Sequence, residues 1–227
     1  MKKLLVKLAD AWKSCRLFHW IDRRISRHFQ KRLTNDQFSI LASNCIGGVI
    51  SHRLGKQFLS PTVNMWMRQQ DFVFFCLHLD YYLLQPLYFV PSEEPYPVAE
   101  LRGTDQLWTI RLYFNHANTE EEARNDWERR KGRIRRDNLF LILYKLDGVS
   151  AEQLKQLEAV PCRGKVVLSA QPIPEIPWTV AIRPNPRAAD PTNYLDKDVF
   201  GVRRFEKHFD YVNWLNTGST RKKSDAR

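Results

Sequence analysis

The sequence predicts a single α/β domain whose mostly parallel, mixed sheet is flanked by helices, with a basic amphipathic helix at its N-terminus. Three observations carry that expectation. From Asn35-Asp36 onward, short apolar runs alternate with segments of helical period, the pattern of βα units. Leu139 to Tyr144 is apolar without interruption, which suits a strand covered on both faces. At Asn44-Cys45-Ile46-Gly47-Gly48 an apolar run stops, passes a glycine pair and resumes with helical spacing, so a strand, a tight turn and a helix N-terminus are expected there.

Taken in order, Leu4, Leu5, Leu8, Trp12, Leu17, Trp20, Ile21 and Ile25 recur among basic residues at spacings of three to five, which predicts an amphipathic arm over residues 1–34. The α/β domain follows over 35–216. Phe38 to Ser43 is its first strand, Gly47 to Leu54 a helix, and Arg68 to Gln85 a second helix with Phe72, Phe75, Cys76, Leu79 and Leu83 on one face. Leu87 to Val90, Val98 to Leu101 and Leu107 to Phe114 read as strands, the last two joined at Gly103-Thr104-Asp105 and suited to antiparallel pairing. Thr119 with Glu122 reads as a capping box for a helix to about Arg136, and Ser150 with Gln153 as another for a helix through Leu157. Leu139 to Tyr144 and Lys165 to Ser169 then form a parallel strand–helix–strand unit. A proline-rich tract over 171–191 holds a short strand at Trp178 to Ile182. A final helix is expected from Val199 to Leu215, and residues 217–227 form a polar, basic tail expected to be disordered.

At 227 residues the chain can bury one substantial core. Cys15, Cys45, Cys76 and Cys162 are too widely spaced for zinc pairs or a disulfide framework, so a reducing cytoplasm is expected. MKKLLVKLADAWK imitates a signal peptide for a few residues, but Lys7 and Asp10 interrupt its apolar core. Phe72 to Leu84 is too short to span a bilayer and is broken by His78 and Asp80. Residues 1–33 hold ten Lys or Arg against two Asp, most of the net charge of +11. Such an arm either lies on an anionic leaflet or packs its apolar stripe on the domain with its charges in water. Peripheral attachment at the inner membrane face is the corresponding expectation.

Chemistry concentrates at two places. The glycine elbow aims backbone N–H groups of Gly47 and Gly48 at one point, where a thiolate or anion is favoured and where Cys45 sits. If the strand ending at Phe114 runs with the first one, His116 shares that sheet edge and can take the Cys45 proton, as a cysteine nucleophile requires. The alternatives are a pocket-lining or plainly buried Cys45 and a His116 that serves as a hydrogen-bond partner. His52 lies about two turns from Cys45, too far for contact. On the helix after Thr119, Ala123, Trp127 and Ile134 define an apolar stripe on which Arg130 also falls. Either Arg130 with Arg133 clamps a phosphate or carboxylate beside Trp127, or Arg130 lays its stem along Trp127 and pairs with an internal acid. Ser60 and Asn64 can cover the crevice or serve the turn. No His/Asp/Glu spacing suggests a metal, and the glycine pair has neither Rossmann nor Walker spacing.

The order Asn44-Cys45-Ile46-Gly47-Gly48, Ser60-Pro61-Thr62, Asn64, Phe114-Asn115-His116, Glu120-Glu121-Glu122-Ala123 and Trp127-Glu128-Arg129-Arg130-Lys131-Gly132-Arg133-Ile134 with Asp137-Asn138 resembles the DUF1919 family over about residues 36–168. Members usually carry an aromatic residue after the motif cysteine and after the histidine, where this chain has Ile46 and Ala117. The resemblance implies a compact α/β domain encoded near surface-polysaccharide genes, without an established reaction, and singles out Asn64. The resulting expectation is an exopolysaccharide or capsule enzyme. It would be a transferase of an acyl or other substituent, acting on a glycan or activated sugar at the cytoplasmic membrane face. The donor would be an acyl-CoA or a nucleotide-sugar. The competing expectation is a non-enzymatic protein docking on anionic membrane or glycan; nucleic acid is disfavoured because no recognised binding motif is present.

Overall fold

The computed structural model describes residues 15–144, 148–186, 190 and 193–220. Residues 1–14 and 221–227, and with them the first 14 of the 34 residues of the expected arm and most of the expected tail, lie outside the described residues. In chain order the elements are α1 (Arg16–Arg32), β1 (Ser39–Ala42), α2 (Ile46–Arg53), α3 (Gln69–Leu77), α4 (Leu79–Leu84), β2 (Tyr88–Phe89), β3 (Val98–Leu101) and β4 (Ile110–Tyr113). They continue with α5 (Glu120–Lys131), β5 (Leu139–Tyr144), α6 (Ala151–Gln156), β6 (Gly164–Ser169), β7 (Thr179–Ala181), α7 (Arg204–His208) and α8 (Tyr211–Thr217).

The protein is an α/β structure built on two sheets. β1-β5-β6-β7 form a four-stranded parallel sheet, and β2-β3-β4 form a separate three-stranded antiparallel one. Burial explains why β5 is apolar throughout: Leu139, Leu141 and Leu143 enter one core, Phe140, Ile142 and Tyr144 the other. The first core lies between this sheet and α3, α4, α5 and the antiparallel sheet. The second lies beneath α2, α7 and α8. Ser150 and Gln153 make the expected reciprocal cap of α6.

Four expectations are corrected. The strand ending near Phe114 pairs antiparallel with β3, as expected, but in a sheet separate from that of β1, so the sheet edge that His116 and Cys45 were expected to share is not formed. The long helix before it divides at His78, whose φ of −119° and ψ of 38° leave helical space, although Phe72, Phe75, Cys76, Leu79 and Tyr82 are all buried. The helix from Thr119 ends at Lys131, and its box is incomplete: Thr119 Oγ1 accepts from Glu122 N, but the Glu122 carboxylate accepts from Asn118 N instead. The C-terminal helix is two pieces because Asp210 caps α8 by accepting from Asn213 N, and Phe200, expected on its apolar face, is exposed.

α1 packs on the domain through Phe18 and Phe29, and its Asp22 meets Arg53 at the end of α2. Arg53 also makes a two-pronged contact with Glu206, Nε at 2.9 Å and Nη2 at 2.8 Å, and donates to the carbonyl of Gly201 at 2.6 Å. Gly201 takes a φ of 80°, and a Cβ there would stand 2.8 Å from Asp22 Oδ1. Burial opposes charge on Asp22, but Arg53 and Lys197 outweigh it and hold the carboxyl below its ordinary value.

Candidate functional site

Cys45 stands three residues beyond the end of β1, at the N-terminus of α2, and a stitched loop closes the other side. The stitch has two threads. Met67 N donates to the carbonyl of Ser43 at 3.0 Å, while Trp66 and Tyr113 exchange backbone bonds at 3.0 and 2.9 Å and stack ring on ring at 3.9 Å. Residues 66–67 therefore join the carboxyl end of β1 to the end of β4 across two sheets. That junction brings Asn115, two residues past β4, to Cys45.

Among the described residues the thiol has polar neighbours but no base within hydrogen-bond reach. Cys45 Sγ lies 3.8 Å from the Met65 carbonyl oxygen and 3.8 Å from Asn115 Oδ1, with Asn115 Nδ2 at 3.9 Å. His116 is exposed and makes no hydrogen bond or ion pair among the described residues. Desolvation pushes the Cys45 thiol above its ordinary value and outweighs the opposing bond from Asn115. The expected lowering by the helix N-terminus is thereby corrected. Asn44 Oδ1 accepts from Ile46 N at 3.1 Å, and no acceptor for the Gly47 and Gly48 N–H groups is found among the described residues. Two donors at this helix start thus remain available beside a neutral thiol and an amide.

Close packing fixes the walls. A Cβ on Gly47 would stand 3.2 Å from Ile40 Cγ2, and one on Gly48 2.9 Å from Val63 Cγ1 and 3.6 Å from Asn64 Oδ1. Asn64 is half-buried and, among the described residues, is the one non-glycine with positive φ, at 61°. The family model described as a domain of unknown function, DUF1919, matches residues 18–216, from α1 through most of α8. The chain belongs to the DUF1919 family. It is also 31% identical, over 192 residues, to an uncharacterized protein of Haemophilus influenzae, covering 85% of this chain and 90% of that one.

Within this DUF1919 domain the predicted residues divide. Asn44, Cys45, Gly47, Gly48 and Asn64 gather at the α2 N-terminus, and Asn115 with the adjoining His116 arrives from β4. Ser60 does not join them: its hydroxyl is buried against Thr62, whose Oγ1 accepts from Ala42 N at 2.9 Å. Trp127 is fully buried in the core, so it presents no surface to a ligand.

Arg130 is committed elsewhere. Its Nη1 donates to the Val63 carbonyl at 2.8 Å and its Nη2 to Asp126, the internal-acid arrangement rather than an anion clamp with Arg133. Burial favours the neutral form of this guanidinium and Asp126 opposes that. Its work is to hold the loop that carries Asn64. Arg133 is half-buried with no side-chain partner among the described residues.

Asn115 stands inside the Phe114-Asn115-His116 motif, but no local pattern singles it out from sequence; its contact with Cys45 emerges only from the fold. The spacing from Ile46 and Ile50 places Arg53 on the buried face of α2. No group of three or more His, Cys, Asp or Glu that could hold a metal ion occurs among the described residues. No helix among them is long and apolar enough to cross a membrane.

Proposed function

We propose that the residues gathered at the α2 N-terminus bind a glycan or activated sugar precursor and support transfer of an acyl or other substituent to it. The observation that carries this reading is the meeting of Cys45 with Asn115 at 3.8 Å, two residues from separate sheets held together by the Trp66-Met67 stitch. A neutral thiol, two amide side chains and the free N–H groups of Gly47 and Gly48 form an uncharged, hydrogen-bonding wall suited to hydroxyls, a thioester carbonyl or a phosphate oxygen.

Of the two catalytic routes, direct transfer has the better support. A nucleophilic cysteine needs a base at hydrogen-bond distance or a depressed pKa, and Cys45 has neither. In direct transfer His116 takes the proton of a sugar hydroxyl as that oxygen attacks the donor's acyl carbonyl or other transferable group. The donor's carrier then leaves with the electron pair of the broken bond. Asn115 positions the acceptor, and Cys45 is pocket wall. The carrier is a coenzyme A thiolate for an acyl-CoA, or a nucleotide for a nucleotide-sugar.

Calorimetry and turnover with acetyl-CoA and UDP-hexoses test the proposal. One of the two donor classes should bind and turn over with a glycan acceptor. Asn115→Ala should weaken binding at least tenfold, His116→Ala should abolish turnover while binding persists, and Cys45→Ser and Cys45→Ala should retain near-normal rates. Binding by neither class, or binding indifferent to Asn115→Ala, refutes it. The lack of an orienting partner for His116 among the described residues favours a second reading, a non-enzymatic glycan-binding or assembly protein; binding without turnover in the parent chain would select it.

A further inference from the structure

α1 has two faces with different fates. Phe18, Asp22, Ser26 and Phe29 recur at spacings of four, four and three and face the domain: Phe18 is buried, Phe29 packs on the second core, and Asp22 and Ser26 both meet Arg53. Leu17, Trp20, Arg24, Arg27 and Lys31 recur at three, four, three and four on the opposite side, and all are exposed. Leu17 is 51% and Trp20 56% exposed, and they stand three residues apart on this one face, so that together they offer a shared apolar contact beside the cations.

The cations on this face are not used internally. Among the described residues Arg16, Arg23, Arg27 and Lys31 have no hydrogen-bonding or ion-pair partner for their side chains, and the Arg24 guanidinium sits 5.4 Å from the centre of the Trp20 ring. By contrast Arg32, on the flank, pairs with Asp210. Trp20, Ile21, Arg24, Ile25 and His28 border a mostly apolar groove of about 320 Å³ with the Arg24 guanidinium among its lining groups.

We infer that the outer face of α1 docks the protein on an anionic lipid bilayer, with Leu17 and Trp20 entering the headgroup layer and Arg23, Arg24, Arg27 and Lys31 meeting lipid phosphates. Charge complementarity selects this occupant: a row of unpaired cations meets a surface of negative charge, and an aromatic anchor beside it suits the interface between water and acyl chains. Because the inner face is clamped to the domain, docking requires no unfolding of α1. The inference does not depend on the transferase reading. It replaces the choice between membrane binding and domain packing by one helix that does both.

The test is co-sedimentation of the full chain with phosphatidylcholine vesicles, with and without phosphatidylglycerol. Sedimentation should require phosphatidylglycerol and fall as ionic strength rises. Each neutralised cation should weaken partitioning about fivefold, so the combined variant Arg23→Gln, Arg24→Gln, Arg27→Gln should lose about a hundredfold. Trp20→Ala should weaken binding at unchanged salt dependence. Since these side chains are exposed, the variants should melt with the parent; Lys31→Gln alone, expected to lose about fivefold, keeps the test decisive if the combined variant does not fold. Equal binding to neutral vesicles, undiminished binding by both charge variants, or their loss of random-duplex DNA binding with vesicle binding intact overturns the inference.

Discussion

The two ends of α2, an eight-residue helix, are built on opposite principles. At its C-terminus Arg53, buried to 6% exposure, is saturated by Glu206, Asp22, Ser26 and the Gly201 carbonyl. At its N-terminus the Cys45 side chain has, among the described residues, polar contacts of 3.8 to 3.9 Å alone, and the neighbouring Gly47 and Gly48 N–H groups are unclaimed there. A saturated cluster spends its hydrogen-bonding capacity on the fold, whereas an unsaturated one keeps it for a ligand. The first end should therefore govern stability and the second recognition.

The largest effect is expected at the saturated end. Arg53→Met strands the Glu206 carboxylate, whose side chain is 0% exposed, and should cost about 3–5 kcal/mol by denaturant unfolding. A cost near that of a surface substitution would break the comparison. The same cluster sets an acid limb: Asp22 is held below its ordinary value, so its contribution is present above the unfolded carboxylate range and is lost as pH falls through the folded value. Asp22→Asn should flatten that limb in urea midpoints measured against pH.

Gly48→Ala is the intermediate case, because the added Cβ would sit 2.9 Å from Val63 Cγ1 and push the loop that carries Asn64. About 1–3 kcal/mol of stability should be lost. Ligand affinity should fall further than the melting shift alone accounts for. Parent-like affinity would separate the loop from the site.

The smallest effect is expected at the sulfur. Cys45→Ala should cost about 1 kcal/mol or less, since it gives up weak contacts at a half-open position. With the thiol raised by burial, alkylation of Cys45 by iodoacetamide at neutral pH should be slower than that of a free thiol and should accelerate only above the ordinary thiol range. Rapid alkylation at neutral pH would restore the nucleophile reading.

What could be read in the chain was local or periodic. β5 announced itself because both its faces are buried, and α6 because its cap needs only Ser150 and Gln153, three residues apart. The elbow at Cys45 was likewise legible, since a glycine pair after an apolar run marks a strand-to-helix turn. The convergence on Asn115 was not derivable from sheet order, because β4 belongs to another sheet and reaches Cys45 only through the Trp66–Tyr113 pairing. Arg53 meets Asp22 and Glu206 across 31 and 153 residues, distances at which no sequence period operates. For Trp127 the helical stripe was visible, but a stripe marks the face toward the core, and that is where the ring lies.

The central claim, that ligand occupies the space beside Cys45 and Asn115, is tested most directly by protection of one thiol. Iodoacetamide labelling of Cys45, followed by peptide mass spectrometry, should slow when the chain is saturated with the UDP-sugar or acyl-CoA that calorimetry shows to bind, while labelling of Cys15, a free thiol at the N-terminus of α1, continues unchanged as the internal control. A ligand that saturates the protein and leaves the Cys45 labelling rate untouched would contradict the account.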